Sequence, residues 1–383
     1  MTNARWTRVA ISIATIAVVA GCGTSRGVAT ASPTTAVRPA PSTPALTTVA
    51  KPLLAGLIDK GSEGPYHLGQ PYAPVTAADL GSLPAGISGV VVNATWAQLE
   101  PSPGTFDLSV VTQSLAAVGG YDRTHPGAQL GARLRVFAAF AAPTWAKGLG
   151  GPPLQVPATR DITVDPTLGR WWEQPYRDAW SGLQQALAQA FDGNPVLRDV
   201  AVSSCSSLTA EPFVLSPATE RVAATAGWTA ADQSACLEGA FTDYAAWRQT
   251  SLYYPGNAGT APADASVTAV LTRCAQATVP RCIVGINNLS PTAPTGRAGQ
   301  TYSTIDSLWT TSHGHAAVSF QMNGPDPATY CASIAVAVAT TPGPWSSGRR
   351  PAGSGASPPC RPPPCRPGTP HYGPGRPPPA PDR

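Results

Sequence analysis

Short apolar runs alternate along this chain with segments whose apolar positions recur every three or four residues. The first run covers residues 53–58 and ends at Asp59-Lys60-Gly61. The runs at 89–96 and 134–140 flank a helical stretch at 108–118. Apolar runs bounded by turn signals and separated by a helical pattern read as parallel strands of a βαβ unit. The clearest helix carries Tyr176, Trp180, Leu183, Leu187 and Phe191 on one stripe, and Asp192-Gly193-Asn194-Pro195 stops it. Further strands are predicted at 200–203, 282–288 and 316–321. Further helices are predicted at 230–249, 266–276 and 327–339, the last capped by Asp326. Between the third strand and the 176–191 helix runs a Gly/Pro-rich loop, 141–169, long enough to be either functional or mobile. Strands alternating with helices argue for an α/β fold with a parallel sheet and helices outside it. About six of the eight units of a (β/α) barrel are visible, so the barrel is expected to be incomplete.

Two phrases carry a resemblance. Trp96-Ala97-Gln98-Leu99-Glu100-Pro101-Ser102-Pro103-Gly104-Thr105-Phe106-Asp107 follows the second strand, and Pro143-Thr144-Trp145 follows the third. Both resemble the strand-two and strand-three phrases of the retaining, clan A-like glycoside hydrolase superfamily of (β/α)8 barrels. The resemblance implies an acid/base glutamate after strand four, in an Asn-Glu-Pro-like phrase. Glu211-Pro212 stands there, with Ala210 where the superfamily has Asn. It also implies a nucleophile on strand seven, but no glutamate follows Glu238 and no residue carries over. The second carboxylate is therefore unknown at this stage. Retaining enzymes hold their two carboxyl groups roughly 5–5.5 Å apart and inverting enzymes hold them farther.

Barrel chemistry gathers where strands end and the next loops begin. Glu211 is the candidate acid/base, against a solvated or helix-capping glutamate. Asp59, Trp96, Trp145, Asn288 and Gln321 are candidate ligand-binding residues. The two indoles would stack on sugar faces, or Trp96 would pack in the core. Asn287, Asn288 and Gln321 would donate to sugar hydroxyls, or fill the barrel interior as buried amides. Asp59 would act as a distant acid, or pair with Lys60 or Arg135. Glu100 reads as a turn residue, and Trp171 and Trp172 as packing at a helix start.

Residues 1–22 read as a lipoprotein signal peptide. Arg5 and Arg8 precede an apolar core at 9–19, and Val19-Ala20-Gly21-Cys22 resembles a bacterial lipobox, making Cys22 the lipid attachment. The apolar core is shorter than the roughly 20 residues a membrane span needs. Residues 23–50, rich in Ser, Thr, Pro and Ala, read as a tether. The folded region is assigned to 51–345. Beyond it, 346–383 holds 13 Pro and 6 Gly and no Val, Ile, Leu, Phe or Met, so it cannot add a strand or a helix face. This tail reads as disordered, either native or the product of a frame change.

The net charge of +4 is misleading, because it comes from the two ends. Residues 51–345 carry fifteen basic against twenty acidic side chains, with no basic run, which disfavours nucleic acid as a partner. The five cysteines of this region pair as Cys205–Cys236 and Cys274–Cys282, leaving Cys331. No metal-ligand spacing occurs and no cofactor is implied. The expectation is an exported protein, anchored through lipid to the outer face of the bacterial cell membrane. It would act on or bind a carbohydrate, with catalytic competence uncertain. The alternative is a non-catalytic surface lipoprotein that captures a glycan or small solute.

Overall fold

The computed structural model describes residues 50–340 apart from 61–70, 84–85, 158–165, 208, 215–216, 257–263, 279, 293, 295–298, 315 and 323–329. Seven strands form one parallel sheet in chain order: β1 (Leu57–Asp59), β2 (Ile87–Thr95), β3 (Gly131–Phe137), β4 (Leu197–Ala201), β5 (Ser251–Pro255), β6 (Cys282–Leu289) and β7 (Val318–Met322). Each strand from β2 onward is followed by one main helix: α1 (Ser109–Thr124), α2 (Gln174–Phe191), α3 (Ala230–Asp243), α4 (Asp264–Gln276), α5 (Gly299–Thr311) and α6 (Tyr330–Thr340). This is the order of a (β/α) barrel with seven strands in place among the described residues. The sequence pattern shows six strands. The one it misses is β5, whose Ser251-Leu252-Tyr253-Tyr254-Pro255 text follows a helix expected to run to residue 249. That helix, α3, stops six residues earlier.

The sheet curls. Arg133 Nη2 on β3 donates to Ser319 Oγ on β7 at 3.3 Å, with β4, β5 and β6 between them in the sheet. Strand alternation then divides the side chains into two layers. Val92, Ala94, Leu134, Val136, Val200, Leu252, Tyr254, Val284 and Ile286 belong to the core that the helices cover. Ala201, Tyr253 and Ile283 form a separate cluster on the inner face, joined by Leu53 and Ala317. On β3 the inner positions are Arg133 and Arg135, so the inside of this barrel is largely polar.

Helix α2 is the most amphipathic element, and its stripe is buried as the pattern predicts. Asp192, at its C-terminal cap, accepts backbone N–H bonds from Gln249 (3.0 Å) and Thr250 (2.8 Å), which fixes where β5 begins. The amino-terminal ends of the strands are closed by Lys51. Its Nζ donates to Leu197 O (2.9 Å) and Thr250 Oγ1 (2.7 Å), and its carbonyl accepts from Arg281 Nη2 at 2.6 Å. The long loop after β3 carries a short helix (Thr144–Lys147) and a small antiparallel ladder, Leu154–Gln155 with Thr167–Leu168. Strand β3 ends at Phe137, earlier than the apolar run suggests. Residues Ala139–Ala141 make a 3-10 turn that Ala139 enters at φ 52°.

Residues 1–22, most of the 23–50 tether and the 346–383 tail lie outside the described residues, and so do Cys22 and the Asp326 cap.

Candidate functional site

The carboxyl-terminal ends of the strands bring one constellation together. Asn93 on β2 and Arg135 on β3 are paired in register, and Arg135 Nε donates to Asn93 Oδ1 at 2.9 Å. On the other side Arg135 Nη1 lies 3.2 Å from Glu211 Oε1, an ion pair whose side chains are 4% and 8% exposed. Glu211 comes from the loop after β4, the position at which the sequence puts its candidate acid/base. The loop is held by the Cys205–Cys236 disulfide, with Cα atoms 5.7 Å apart. Gln233 of α3 donates to Cys205 O at 2.9 Å, and Trp171 Nε1 donates to Gln233 Oε1 at 2.9 Å. Trp171 therefore packs and bonds inside, as expected. The second expected disulfide, Cys274–Cys282, joins α4 to the first residue of β6.

A second ionic layer lies one pleat deeper. Arg133 Nε is 2.5 Å from Asp199 Oδ1, and its Nη2 donates to Oδ2 at 3.2 Å. The guanidinium carbon stands 3.6 Å from the centroid of the Tyr253 ring, a cation–π contact removed from water. Burial raises the Asp199 carboxyl pKa, and the charge of Arg133 opposes that rise. Burial also pushes the Tyr253 phenol well up. Arg133 and Arg135 lower it while Glu211 and Asp199 raise it, so both carboxylates bear on this one ring. Gly285 leaves room for that ring, since a Cβ at this position would overlap Tyr253.

Asp199 is the carboxylate that the sequence reading missed. The charged pair Arg198-Asp199 interrupts the apolar run that marks β4, so the strand was expected to begin at Val200, whereas it begins at Leu197. The signal available was the period-two placement of Arg133 and Arg135, which demands inward-facing acids. Asp199 has no exposed surface and both its oxygens are engaged by Arg133. It serves as the counter-ion of Arg133.

The other candidates divide. Trp96 has no exposed surface and packs edge-on against Trp145, Tyr176 and Trp180, with ring centroids 5.1–5.8 Å apart. Its Nε1 donates to Glu100 Oε2 at 2.9 Å. It is a core residue and offers no sugar platform, because its strand leads directly into a one-turn helix that folds the indole inward. Glu100 is the turn residue expected, its Oε1 accepting from Gly104 N at 2.9 Å. Trp145 follows β3 at the same end of the sheet and is half-buried, its Nε1 donating to Glu100 O at 3.2 Å. Asp59 pairs in register with Val90, whose side chain packs on Leu80 and Val118 in the outer layer. Alternation therefore places Asp59 on the face opposite to Asn93, away from the Glu211 cluster. Gln321 lies two residues beyond Ser319 on β7 and so shares its inner face, whereas Phe320 between them stacks outward on Tyr302. Asn288 belongs to β6, and its side chain lies outside the described residues. Among the described residues, no cluster of His, Cys, Asp and Glu is arranged to hold a metal ion, and no helix is long and apolar enough to cross a membrane.

No protein-family model matches the chain. An MMP alpha-(1->4)-mannosyltransferase of Mycolicibacterium hassiacum is 27% identical over 153 residues, 40% of this chain. The chain thus spans about a third of that relative's length, 33%. Among solved structures, endo-glycoceramidase II from Rhodococcus sp., in a cellobiose-like isofagomine complex, is similar at a TM-score of 0.42 and 17% identity. The match covers 76% of this chain and 73% of that one. A GH5_18 protein from Bifidobacterium longum is similar at a TM-score of 0.34 and 11% identity, over 61% of this chain and 50% of that one. The barrel assignment stands on the strand order and register of the chain itself.

Proposed function

We propose that this chain is an exported, lipid-anchored barrel that binds a carbohydrate at the carboxyl-terminal ends of its strands. The observation that carries the reading is the Asn93–Arg135–Glu211 constellation. A buried array of amide, guanidinium and carboxylate matches the alternating donors and acceptors of vicinal sugar hydroxyls. Charge-assisted hydrogen bonds of this kind are also about twice as strong as neutral ones. Gln321 would add a donor from β7, and the partly exposed Trp145 would lie under an apolar sugar face. The sequence similarity to a mannosyltransferase supports the same substrate class.

Export and anchoring rest on the Arg5/Arg8 start, the apolar 9–19 segment and Cys22. Processing at that cysteine and modification of its thiol would leave the barrel on a tether at the outer face of the membrane. Hydrolytic turnover is expected to be weak. Of the two carboxylates that pair with the inward arginines of β3, Asp199 is locked to Arg133, which leaves Glu211 without a partner acid there.

The test is a glycan array probed with residues 50–383 and with Glu211→Ala. The reading expects a defined set of oligosaccharides to be retained by the wild type and lost by the variant. Retention of no glycan by a folded wild-type protein would end it.

A further inference from the structure

The end of the barrel opposite the Glu211 site is the end at which the polypeptide enters it. Lys51 N donates to Gln249 O at 3.1 Å, and Lys51 O accepts from Arg281 Nη2 at 2.6 Å. Both partners are chain neighbours of an open cleft of about 350 Å³. Phe241, Ala245, Arg248, Arg273, Ala277 and Pro280 line it, at the carboxyl-terminal ends of α3 and α4. The Arg273 guanidinium carbon stands 4.4 Å from the Phe241 ring centroid, and its Nη1 donates to the Glu238 carbonyl at 3.1 Å. Arg248 and Arg273 are exposed, and among the described residues neither is ion-paired. Asp192, the acid beside them, is occupied by the backbone N–H groups of Arg248, Gln249 and Thr250. The helix dipole favours a positive charge in a last turn, which accounts for Arg273. It does not account for Arg248, five residues beyond α3, or for Arg281, which precedes β6. Nor does composition, since residues 51–345 carry more acids than bases.

We infer that this end of the barrel docks on anionic phospholipid, with a headgroup phosphate held between Arg248 and Arg273. The inference rests on the anchored-barrel reading above. Twenty-eight residues lie between Cys22 and Lys51. A flexible chain of that length spans roughly 30 Å on average. A barrel held so near a bilayer meets it at high effective concentration, so a weak patch suffices. The two guanidinium groups supply the charge-assisted donors that a phosphate accepts, and Phe241, Ala245 and Pro280 offer apolar surface to the glycerol region. With the entry end on the membrane, the carboxyl-terminal ends of the strands, and Glu211 with them, face outward to incoming glycan.

The test uses the full chain with Cys22→Ala, which cannot take a lipid, so that anchor and docking face are read separately. Co-sedimentation is measured with vesicles of phosphatidylcholine alone and of phosphatidylcholine mixed equally with phosphatidylglycerol. Binding is expected on the anionic vesicles, weakening as salt is added. One basic residue near an anionic surface changes partition by about fivefold, so Arg248→Glu and Arg273→Glu should each lower it by at least that factor. Arg221→Glu, the same charge change on the helix Pro217–Thr225 after β4, should leave it unchanged. Arg248 is exposed, so its replacement keeps the test open should Arg273→Glu fail to fold. Hydrogen exchange reads the orientation: amides at 245–249 and 273–278 should slow on anionic vesicles, and those at 209–213 should not. Anionic binding that survives both reversals would belong to the arginine-bearing ends of the chain and would overturn the inference. The same slowing by inorganic phosphate without vesicles would assign the cleft to a soluble anion and overturn it as well. The anchor is scored apart, by the mass of the Cys22 peptide from the native chain made in a bacterial host. Lipid on Cys22 without binding of the Cys22→Ala chain to anionic vesicles removes the docking face and leaves the anchor. Vesicle binding without lipid on Cys22 removes the anchor and leaves the face.

Discussion

Arg133 and Ser319 are hydrogen-bonded at 3.3 Å although 186 residues and three strands of the same sheet separate them. A flat sheet would hold β3 and β7 far apart, since neighbouring strands are spaced about 4.8 Å. The contact is therefore a direct record of curvature, and it places the Arg133–Asp199 pair inside the curl. Asp199→Asn would leave a guanidinium buried without its counter-ion. Unfolding by urea at pH 7 should show a loss of about 3–5 kcal/mol. The double replacement Arg133→Met with Asp199→Leu should recover most of that loss. A single variant as stable as the wild type would mean that the pair is open to water.

Asp243, the last residue of α3, supplies a pH dependence with a definite sign. Burial raises its carboxyl to about 6, with Arg177 opposing the rise and Asp178 adding to it. Its Oδ1 is 3.8 Å from Arg177 Nη2, and its Oδ2 has no partner among the described residues. A carboxyl raised in the folded state contributes stability that is complete below about pH 4 and is lost as pH rises through about 6. Asp243→Asn should match the wild type near pH 3.5 and exceed it at pH 7 by about 3 kcal/mol, the value that a rise from 3.8 to about 6 carries. Equal pH profiles for the two proteins would rule out this assignment.

The Cys205–Cys236 bond closes a sequence separation of 31 residues that contains Glu211. Chain entropy assigns it about 3–4 kcal/mol. Replacing both cysteines by Ala should lower the guanidinium midpoint accordingly and weaken glycan binding as the Glu211 loop loosens. Loss of stability with unchanged affinity would show that α3 and Gln233 hold the loop unaided.

Trp96 and Trp145 should respond differently to truncation. Trp96→Ala opens a cavity among three aromatic rings and should cost about 3–5 kcal/mol in thermal or urea unfolding. Trp145→Ala removes a half-buried ring and should cost less, while reducing sugar affinity more. The reverse order in affinity would assign the sugar contact elsewhere.

The sequence made some of this plain and hid the rest for physical reasons. Helix α2 was legible because its buried stripe repeats at the helical period and Asp192-Gly193 ends it. Strands β2 and β3 were legible because their outer faces are aliphatic. Strand β5 was not, because its inner residue is a tyrosine serving a buried ion pair and polar residues lead into it. Asp199 was missed for the same reason: a search for apolar runs discards a charge, yet an interior lined by Arg133 and Arg135 requires one. Trp96 was open in the sequence between core packing and a sugar platform, and its burial makes it core. A tryptophan at a strand end looks like a sugar platform until the next turn folds it inward.

Carbohydrate is proposed to sit against Glu211 and Arg135 inside the strand ends. Isothermal titration of the best-retained oligosaccharide against wild type, Glu211→Ala and Arg135→Met tests it most directly. Arg198→Ala, on the β4 residue preceding the buried Asp199, serves as the control. Each site substitution is expected to weaken binding by about 10-fold or more, equivalent to about 1.4 kcal/mol, with the control unchanged. Site variants that fold and bind as tightly as the wild type would contradict it.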